Sequence, residues 1–537
     1  MTGTRVEIHQ GRGRCLIADK EFAVGDLIFE VQPLCAVLEE EQVQKRCAWC
    51  FVAFADVGQR CSSCKRIWYC SRGCQETDWR DHRTECRAWV SLHAERMPTR
   101  TLRLASRILT RINNGGSTGS RRRRIDANIN TATSLKIGGN GSTLDGEKEA
   151  EEARREVDAM VDHNDKRTPA HADEFKAMAS FVARICLAGS GKQGSALSWP
   201  STKGRGFPGL VEAAYSLLGK ISCNAFSIAE EFGVPVVGCG LYPQASTVNH
   251  SCRPGAVQVF SGRTLSLRCV RRVGKGEEIT LGITDLACPG ELRRTSLREG
   301  YFFECRCERC SGAKDEARLE GYQCPDPTCE GFCQAWGGMG IGGHTRQEGL
   351  GGGGDDDVGM AAGDEGLRCL KCGAVRGGGR EAKREVQALR NVLEQGKALA
   401  RAEGGLAKAK ACLEEVLPRA QVLLHRGHWL LSELYAELVS TCLEVEDFAR
   451  AAMHAREAVE VHRACYRVLL PYYPAMAHHL SITGKLLLFS GDPMGALPLL
   501  EEAVGILRVT HGERHSVYGD VRELLEHARH EGGGMPF

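Results

Sequence analysis

The chain has 537 residues, 42% hydrophobic and 26% charged, more than one hydrophobic core can hold, which points to roughly two to four domains. Lys and Arg total 70 against 68 Asp and Glu, a formal charge of +2, so whole-chain charge gives no case for nucleic acid or anionic membrane as partner. No apolar run approaches the ~18 residues of a bilayer span, and Met1 to His9 lacks a signal-peptide core, so neither secretion nor membrane insertion is expected.

In chain order, residues 5–40 read as short strands. The stretch from Leu27 to Glu39 is rich in Val, Ile, Leu and Phe, and the turn signal Val24-Gly25-Asp26 precedes it. Residues 47–86 form a Cys/His block. From Asn113 the text turns to low complexity, including a run of four arginines at Ser120 to Arg124. Roughly 131–172 read as a poorly ordered insertion with one charged helical stretch. Helical and strand text resumes at Asp173, a second Cys block lies at 305–310, and a Gly-rich tract from Gly349 to Gly366 reads as a flexible loop between Cys pairs. From about 380 to 532 amphipathic helices follow. Leu443 to Val461 resembles Leu488 to Ile506 at an offset of 45 residues, with small residues at Ala451 and Ala496 and a shared Glu-Ala-Val. That is a helical-pair repeat of the tetratricopeptide kind, longer than the usual ~34 residues.

The 26 cysteines, in a chain with no secretory signal, are expected to be thiols or metal ligands rather than disulfides. Fifteen sit in short-spaced clusters. Cys47, Cys50, Cys61, Cys64, Cys70, Cys74, His82 and Cys86 offer eight donors for two tetrahedral sites, and so short a segment needs metal to fold. This spacing resembles the MYND zinc finger. The resemblance implies interleaved sites: Cys47, Cys50, Cys70 and Cys74 hold one ion, Cys61, Cys64, His82 and Cys86 the other. Arg60, Lys65, Arg66, Arg72, Arg80 and Arg83 are interspersed with Trp49, Trp68, Tyr69 and Trp79. Such aromatics read first as the finger's small core and second as a basic-aromatic surface that makes DNA a weak candidate partner. Cys252 with Cys305, Cys307 and Cys310 reads as a third site, and Cys324, Cys329, Cys369 and Cys372 as a fourth, with Cys333 a competitor. The other cysteines, among them Cys186, Cys412 and Cys442, sit in apolar text and read as core thiols. With thiolates and dications counted, the folded chain carries a small negative charge.

Gly240 to Val257 contains Asn249-His250-Ser251-Cys252, Gly274 to Leu281 spells GKGEEITL, and Tyr301 to Cys310 spells YFFECRCERC. With the finger, these motifs in this order resemble the SET and MYND domain-containing (SMYD) protein-lysine methyltransferases. The resemblance implies an α+β multidomain fold: a β-rich SET domain split by the MYND zinc finger, a Cys-rich post-SET segment and a C-terminal TPR-like helical domain. It places an N-terminal part of the SET domain at 1–46, the finger at 47–86, an insertion region at 87–210, the core SET at 211–285, the post-SET zinc segment at 286–312, zinc-ribbon-like pairs at 313–379 and the helical domain at 380–537. It implies S-adenosyl-L-methionine as cofactor, with three to four zinc ions per chain. Gln10, Gly11, Arg12 and Gly13 match the cofactor loop, where glycines let the backbone approach closely. Asn128, Asn224, Asn249, His250 and Phe303 match cofactor contacts, and Tyr301 matches the lysine channel as the catalytic residue. The third zinc would tie the post-SET segment over that channel.

The implied reaction is an in-line methyl transfer to a lysine amine on a histone or non-histone protein. That amine must be neutral, and deprotonating it at pH 7 takes about 4.6 kcal/mol. A narrow dry channel beside a sulfonium lowers its pKa, and the remaining work is orientation. One departure opens an alternative: Ile283 stands where the family has a Tyr after its GEE motif. The alternative is a catalytically weak or inactive scaffold that binds protein partners through the finger and the helical domain. The expected partner is a protein substrate with an accessible lysine, the expected state a monomer, and the expected location cytoplasm and nucleus, the arginine run being a candidate import signal.

Overall fold

The structure is a computed structural model that describes residues 3–91, 97–113, 143–190, 206–230, 236–312, 314–336, 366–466 and 471–532. Asn128, the run at Ser120 to Arg124, the low-complexity text at 131–142 and the Gly-rich tract up to residue 365 lie outside the described residues. The chain divides into two compact units, one made of residues 1–250, 254–281 and 296–304, the other of 251–253, 282–295 and 305–537.

The first unit is built from short antiparallel sheets and a helical layer. Strands β1 (Thr4–His9) and β2 (Gly13–Ala18) form a hairpin. Gly11 and Gly13 take φ of +77° and +70°, a left-handed backbone that a side chain would strain. β3 (Leu27–Val31) and β4 (Cys35–Leu38) are the two halves of the apolar stretch. Pro33 falls between them, and they enter different sheets because proline cannot continue a ladder. The finger contributes β5 (Gln59–Arg60), β6 (Trp68–Tyr69) and helix α1 (Arg72–Ser91). Helices α2 (Arg100–Asn113), α3 (Thr143–Asp158), α4 (Pro169–Ser190) and α5 (Phe207–Asn224) follow.

Strand β7 (Ala225–Ala229) and β8 (Val236–Leu241) join β4 in the order β4-β8-β7. β9 (Asn249–His250) runs parallel to β12 (Thr280–Leu281), while β10 (Ala256–Ser261) and β11 (Thr264–Cys269) complete a sheet with β3. The core joins β4 and β8 to the helices through Val37, Leu104, Ile108, Val182, Leu217 and Leu241, among others. On α4, a Cβ at Gly189 would lie 2.1 Å from the carbonyl oxygen of Thr84 on α1, so glycine lets these two helices touch backbone to backbone.

One expectation is corrected here. Residues 143–172 are ordered: α3 sets Ala150, Ala153 and Val157 into the buried interior, and Met160, in the turn just after it, is buried with them. Their spacing is that of one helical face, so a narrow apolar stripe anchors an otherwise charged helix.

The second unit begins α6 (Gly290–Tyr301), whose last turns belong to the first. It contains an antiparallel four-stranded sheet, β13 (Tyr322–Gln323), β14 (Phe332–Trp336), β15 (Gly366–Cys369) and β16 (Val375–Arg376). Helices α7 (Gly379–Arg401), α8 (Leu406–Leu423), α9 (Trp429–Glu444), α10 (Phe448–Tyr466), α11 (Pro474–Phe489), α12 (Pro493–Thr510) and α13 (Ser516–Gly532) follow, each packed on the next. The sequence repeat coincides with matching turns before α10 and α12. Asp447 accepts from the Arg450 N–H at 3.2 Å, and Asp492 from the Gly495 N–H at 2.8 Å; both are helix N-caps. The preceding residues, Glu446 and Gly491, both have positive φ, and Ala451 and Ala496 are fully buried where their helices meet the rest.

Candidate functional site

Four groups of Cys and His donors converge: Cys47, Cys50, Cys70 and Cys74; Cys61, Cys64, His82 and Cys86; Cys252, Cys305, Cys307 and Cys310; Cys324, Cys329, Cys369 and Cys372. Sulfur separations are 3.7 Å for Cys50–Cys70, 3.8 Å for Cys61–Cys86, 3.5 Å for Cys252–Cys310 and 3.5 Å for Cys324–Cys372. Those values are far from the ~2.05 Å of a disulfide and near the edge of a tetrahedron with Zn–S of ~2.3 Å. The donor sets therefore fit zinc, and the interleaved pairing in the finger is the one the structure brings together. At the fourth group a Cβ on Gly331 would meet Cys369 Sγ at 2.8 Å and Cys329 Sγ at 3.2 Å, so glycine keeps that cradle open. Cys333 pairs across the sheet with Cys369 and is fully buried, outside the four donors. Glu414, Cys442 and His454 also approach one another, but Arg450 already holds the Glu414 carboxylate at 2.9 Å.

Within the finger, Tyr69 is fully buried and gives its hydroxyl to Asp78 at 2.8 Å. Trp49 lies under the Arg263 guanidinium at 4.0 Å. Trp79 is 39% exposed. Tyr69 and Trp49 thus serve the interior.

The motifs matched to the cofactor converge in the first unit. Asn249 donates its side-chain amide to the Arg14 carbonyl at 3.0 Å and to Glu278 Oε1 at 2.9 Å. Glu278 in turn pairs with Arg12 at 2.8 Å, so the QGRG hairpin, the Asn-His motif and the GEE motif meet at one carboxylate. Beneath them Cys15 is buried, and burial, with Glu278 beside it, pushes its thiol up to about 11. At the hairpin tip Gln10 to Gly13 is exposed, and Cβ atoms built on Gly11 and Gly13 meet nothing within 4 Å. The backbone there is open to a ligand.

The His250 ring lies 6.1 Å from that of Phe303. Phe303, Phe302, Phe175, Lys166, Arg167 and Arg298 contribute to the lining of a cavity of about 560 Å³. Phe302 has φ +60°, a conformation uncommon for an aromatic residue. Lys166 Nζ donates to its carbonyl at 3.2 Å, and Arg167 lies over its ring at 5.2 Å. Asn224 ends α5; its amide donates to the Lys220 carbonyl at 2.8 Å and its own carbonyl accepts from Ser246 at 3.1 Å, just before Asn249. Tyr301 is half-buried. Burial, then the neighbouring Cys223 thiol, raises its phenol, and its hydroxyl makes no hydrogen bond among the described residues. Asn249 touches the glycine hairpin and its neighbour His250 lies against Phe303 of the cavity wall; an open glycine backbone and an aromatic lining suit an adenosyl cofactor. Two contributors were missed from sequence: Glu278, visible in GKGEEITL but given no role, and the segment around Lys166 to Phe175, which carries no motif.

The MYND finger family model matches residues 47–86. The chain is 28% identical over 529 residues to the histone-lysine N-methyltransferase ASHR1 of Arabidopsis thaliana, covering 97% of this chain and 94% of that one. It is 23% identical over 526 residues to the N-lysine methyltransferase SMYD2-A of Danio rerio, 98% of each chain, and 23% over 518 residues to SMYD2 of Homo sapiens, 96% of each. Over nearly its whole length the chain is thus similar to lysine methyltransferases of the SET and MYND domain-containing kind, and its finger matches theirs. The finger match and the donor geometry together support zinc at the Cys/His groups. No helix of the described residues is long and apolar enough to cross a membrane.

Proposed function

We propose that this chain is an S-adenosylmethionine-dependent protein-lysine N-methyltransferase, with a SET domain interrupted by the finger and a TPR-like array at the C-terminus. The observation that carries the reading is the convergence on Glu278: Asn249 and Arg12, from separate motifs, are fixed by one carboxylate beside an open hairpin. The cofactor, when bound, supplies a methyl group on an electrophilic sulfonium. Gln10 to Arg12 would bind it through exposed backbone, Asn249 and Asn224 would orient it, and His250 and Phe303 would hold its base at the aromatic cavity. Tyr301 would place its half-buried hydroxyl toward the incoming amine and help exclude water. Burial favours the neutral amine over ammonium there, so orientation rather than a strong base would carry the rate.

The relatives named for lysine methylation favour a protein substrate; whether that is a histone belongs to the test, as do the finger and helical array as protein-binding surfaces. The test is cofactor affinity and labelled methyl transfer to histones and a cell lysate, for the parent chain and Tyr301→Phe. The reading expects lysine methylation by the parent, with transfer by Tyr301→Phe reduced on the order of 10²–10³-fold at unchanged cofactor affinity. An unchanged rate in Tyr301→Phe overturns the role of Tyr301. Cofactor binding by the parent with no transfer favours the scaffold that Ile283 suggests.

A further inference from the structure

The finger's second donor group packs against a helix from outside the finger. Helix α1 carries two of its donors, His82 and Cys86, and beside them the acidic residues Asp78, Asp81 and Glu85, all three at most 3% exposed. Helix α2 faces them with Arg103, Arg107 and Arg111, spaced four apart along one side. Arg107 is the centre of this ladder. Its guanidinium donates to Asp78 at 3.0 Å and, through Nε and Nη2, to Glu85 Oε2 at 3.1 and 2.9 Å. Arg111 reaches Asp81 at 3.4 Å.

The same Glu85 oxygen lies 3.2 Å from His82 Nδ1, while His82 Nε2 points at Cys64 Sγ, 3.4 Å away. The imidazole thus turns one nitrogen toward the sulfur donors and the other toward a carboxylate. A metal-bound histidine needs that arrangement: the outer N–H, held by an acceptor, fixes the tautomer and leaves the inner lone pair for the ion.

We propose that Glu85 is the positioning residue of the Cys61, Cys64, His82, Cys86 zinc site and that Arg107, on α2, holds Glu85 in place. Retention of this ion is then set by the helical layer next to the finger, not by the finger alone. The proposal rests on that group's binding zinc, and the zinc count of the parent and of His82→Ala separates the two claims: equal counts would remove the site and the proposal with it.

The experiment measures zinc release from the full chain to a chromogenic chelator. Glu85→Gln keeps the shape and an acceptor but loses the charge; Arg107→Lys keeps the charge but loses the fork. In Glu85→Gln one ion per chain should leave about 10–100-fold faster, the others at parental rates, and Arg107→Lys should accelerate the same ion. Unchanged release in both, or equal acceleration of both finger ions, overturns the proposal. The decisive control repeats Glu85→Gln in a His82→Cys background, where the donor has no second nitrogen to orient. The acceleration should vanish or reverse there. If it persists undiminished, Glu85 acts only as a structural buried charge and the proposal fails.

Discussion

The two units differ in the polar side chains they bury most. In the first, charge is buried as charge: Asp78, Glu85, Arg103 and Arg107 are all at most 3% exposed and are paired with one another or with carbonyls, as in Arg103 Nε to the Pro98 carbonyl at 3.0 Å. The second also buries such a pair, Arg293 with Glu316 at 2.8 Å, but its helical array is marked by buried histidines held neutral. His462 exchanges a hydrogen bond with Ser432 at 2.7 Å and stacks on His479 with centroids 3.7 Å apart, and His428 caps α9 by accepting from the Leu430 N–H at 3.0 Å. Paired charges hold a metal-bearing surface in one geometry but leave each member dependent on its partner. Neutral imidazoles pack like aromatics until acid protonates them.

The largest effect that follows is on the charged side. Arg107→Ala leaves Asp78 and Glu85 without their cation and should destabilise the first unit by about 3–5 kcal/mol, read from denaturation monitored by peptide-resolved hydrogen exchange. Lys371→Ala at the fourth zinc group removes an exposed pair with Glu330 and marks the opposite end of the scale, at most about 1 kcal/mol. Similar losses in both would erase the contrast.

Acid should break the second unit's side of the comparison. Burial above all, with His425 near one and His478 near the other, holds His428 and His462 down at about 3. Because the unfolded chain takes up protons near pH 6.5 and the folded one does not, stability is intact above that value. It falls as pH drops from about 6.5 towards 3, by about 1.4 kcal/mol per pH unit for each histidine. His428→Asn keeps an N-cap acceptor and removes one titration, so α9 should lose protection less steeply with acid than in the parent. An identical slope would mean that His428 does not titrate on unfolding.

A smaller effect is expected at Ile283, in the second unit. If the family's Tyr there donates a hydrogen bond, Ile283→Tyr should raise methyl transfer at least about tenfold, within the range one preorganised donor supplies. No gain, or a loss through packing, would show that Tyr301 and backbone carbonyls suffice.

Much of this organisation was legible in sequence because metal ligation is local. Pairs such as Cys61 and Cys64, or Cys369 and Cys372, are spaced so that both side chains can share one ion without strain, and the family resemblance supplied the interleaving. The turns at Asp447 and Asp492 were legible as a repeat, since a cap and its small residues recur together. What escaped depends on pairing across distance. Arg103, Arg107 and Arg111 belong to no motif, and only the fold brings the acids of α1 against them. The apolar stripe of α3 is thin enough that its glutamates and arginines dominated the reading, and the cavity wall at Lys166 to Phe175 is made by tertiary packing with no motif to announce it. Glu278 was in plain view, but only the fold shows that Asn249 and Arg12 share it.

The central claim is that Glu278 organises a cofactor site, and its most direct test is S-adenosylmethionine binding by calorimetry to the full chain and to Glu278→Gln. The account predicts that the parent binds, and that losing the carboxylate frees Arg12, loosens the hairpin and weakens binding about tenfold or more, as breaking a charge-assisted hydrogen bond of about 1.5–3 kcal/mol should. Equal affinity in a folded Glu278→Gln, or a zinc-loaded parent that binds no cofactor, would contradict it.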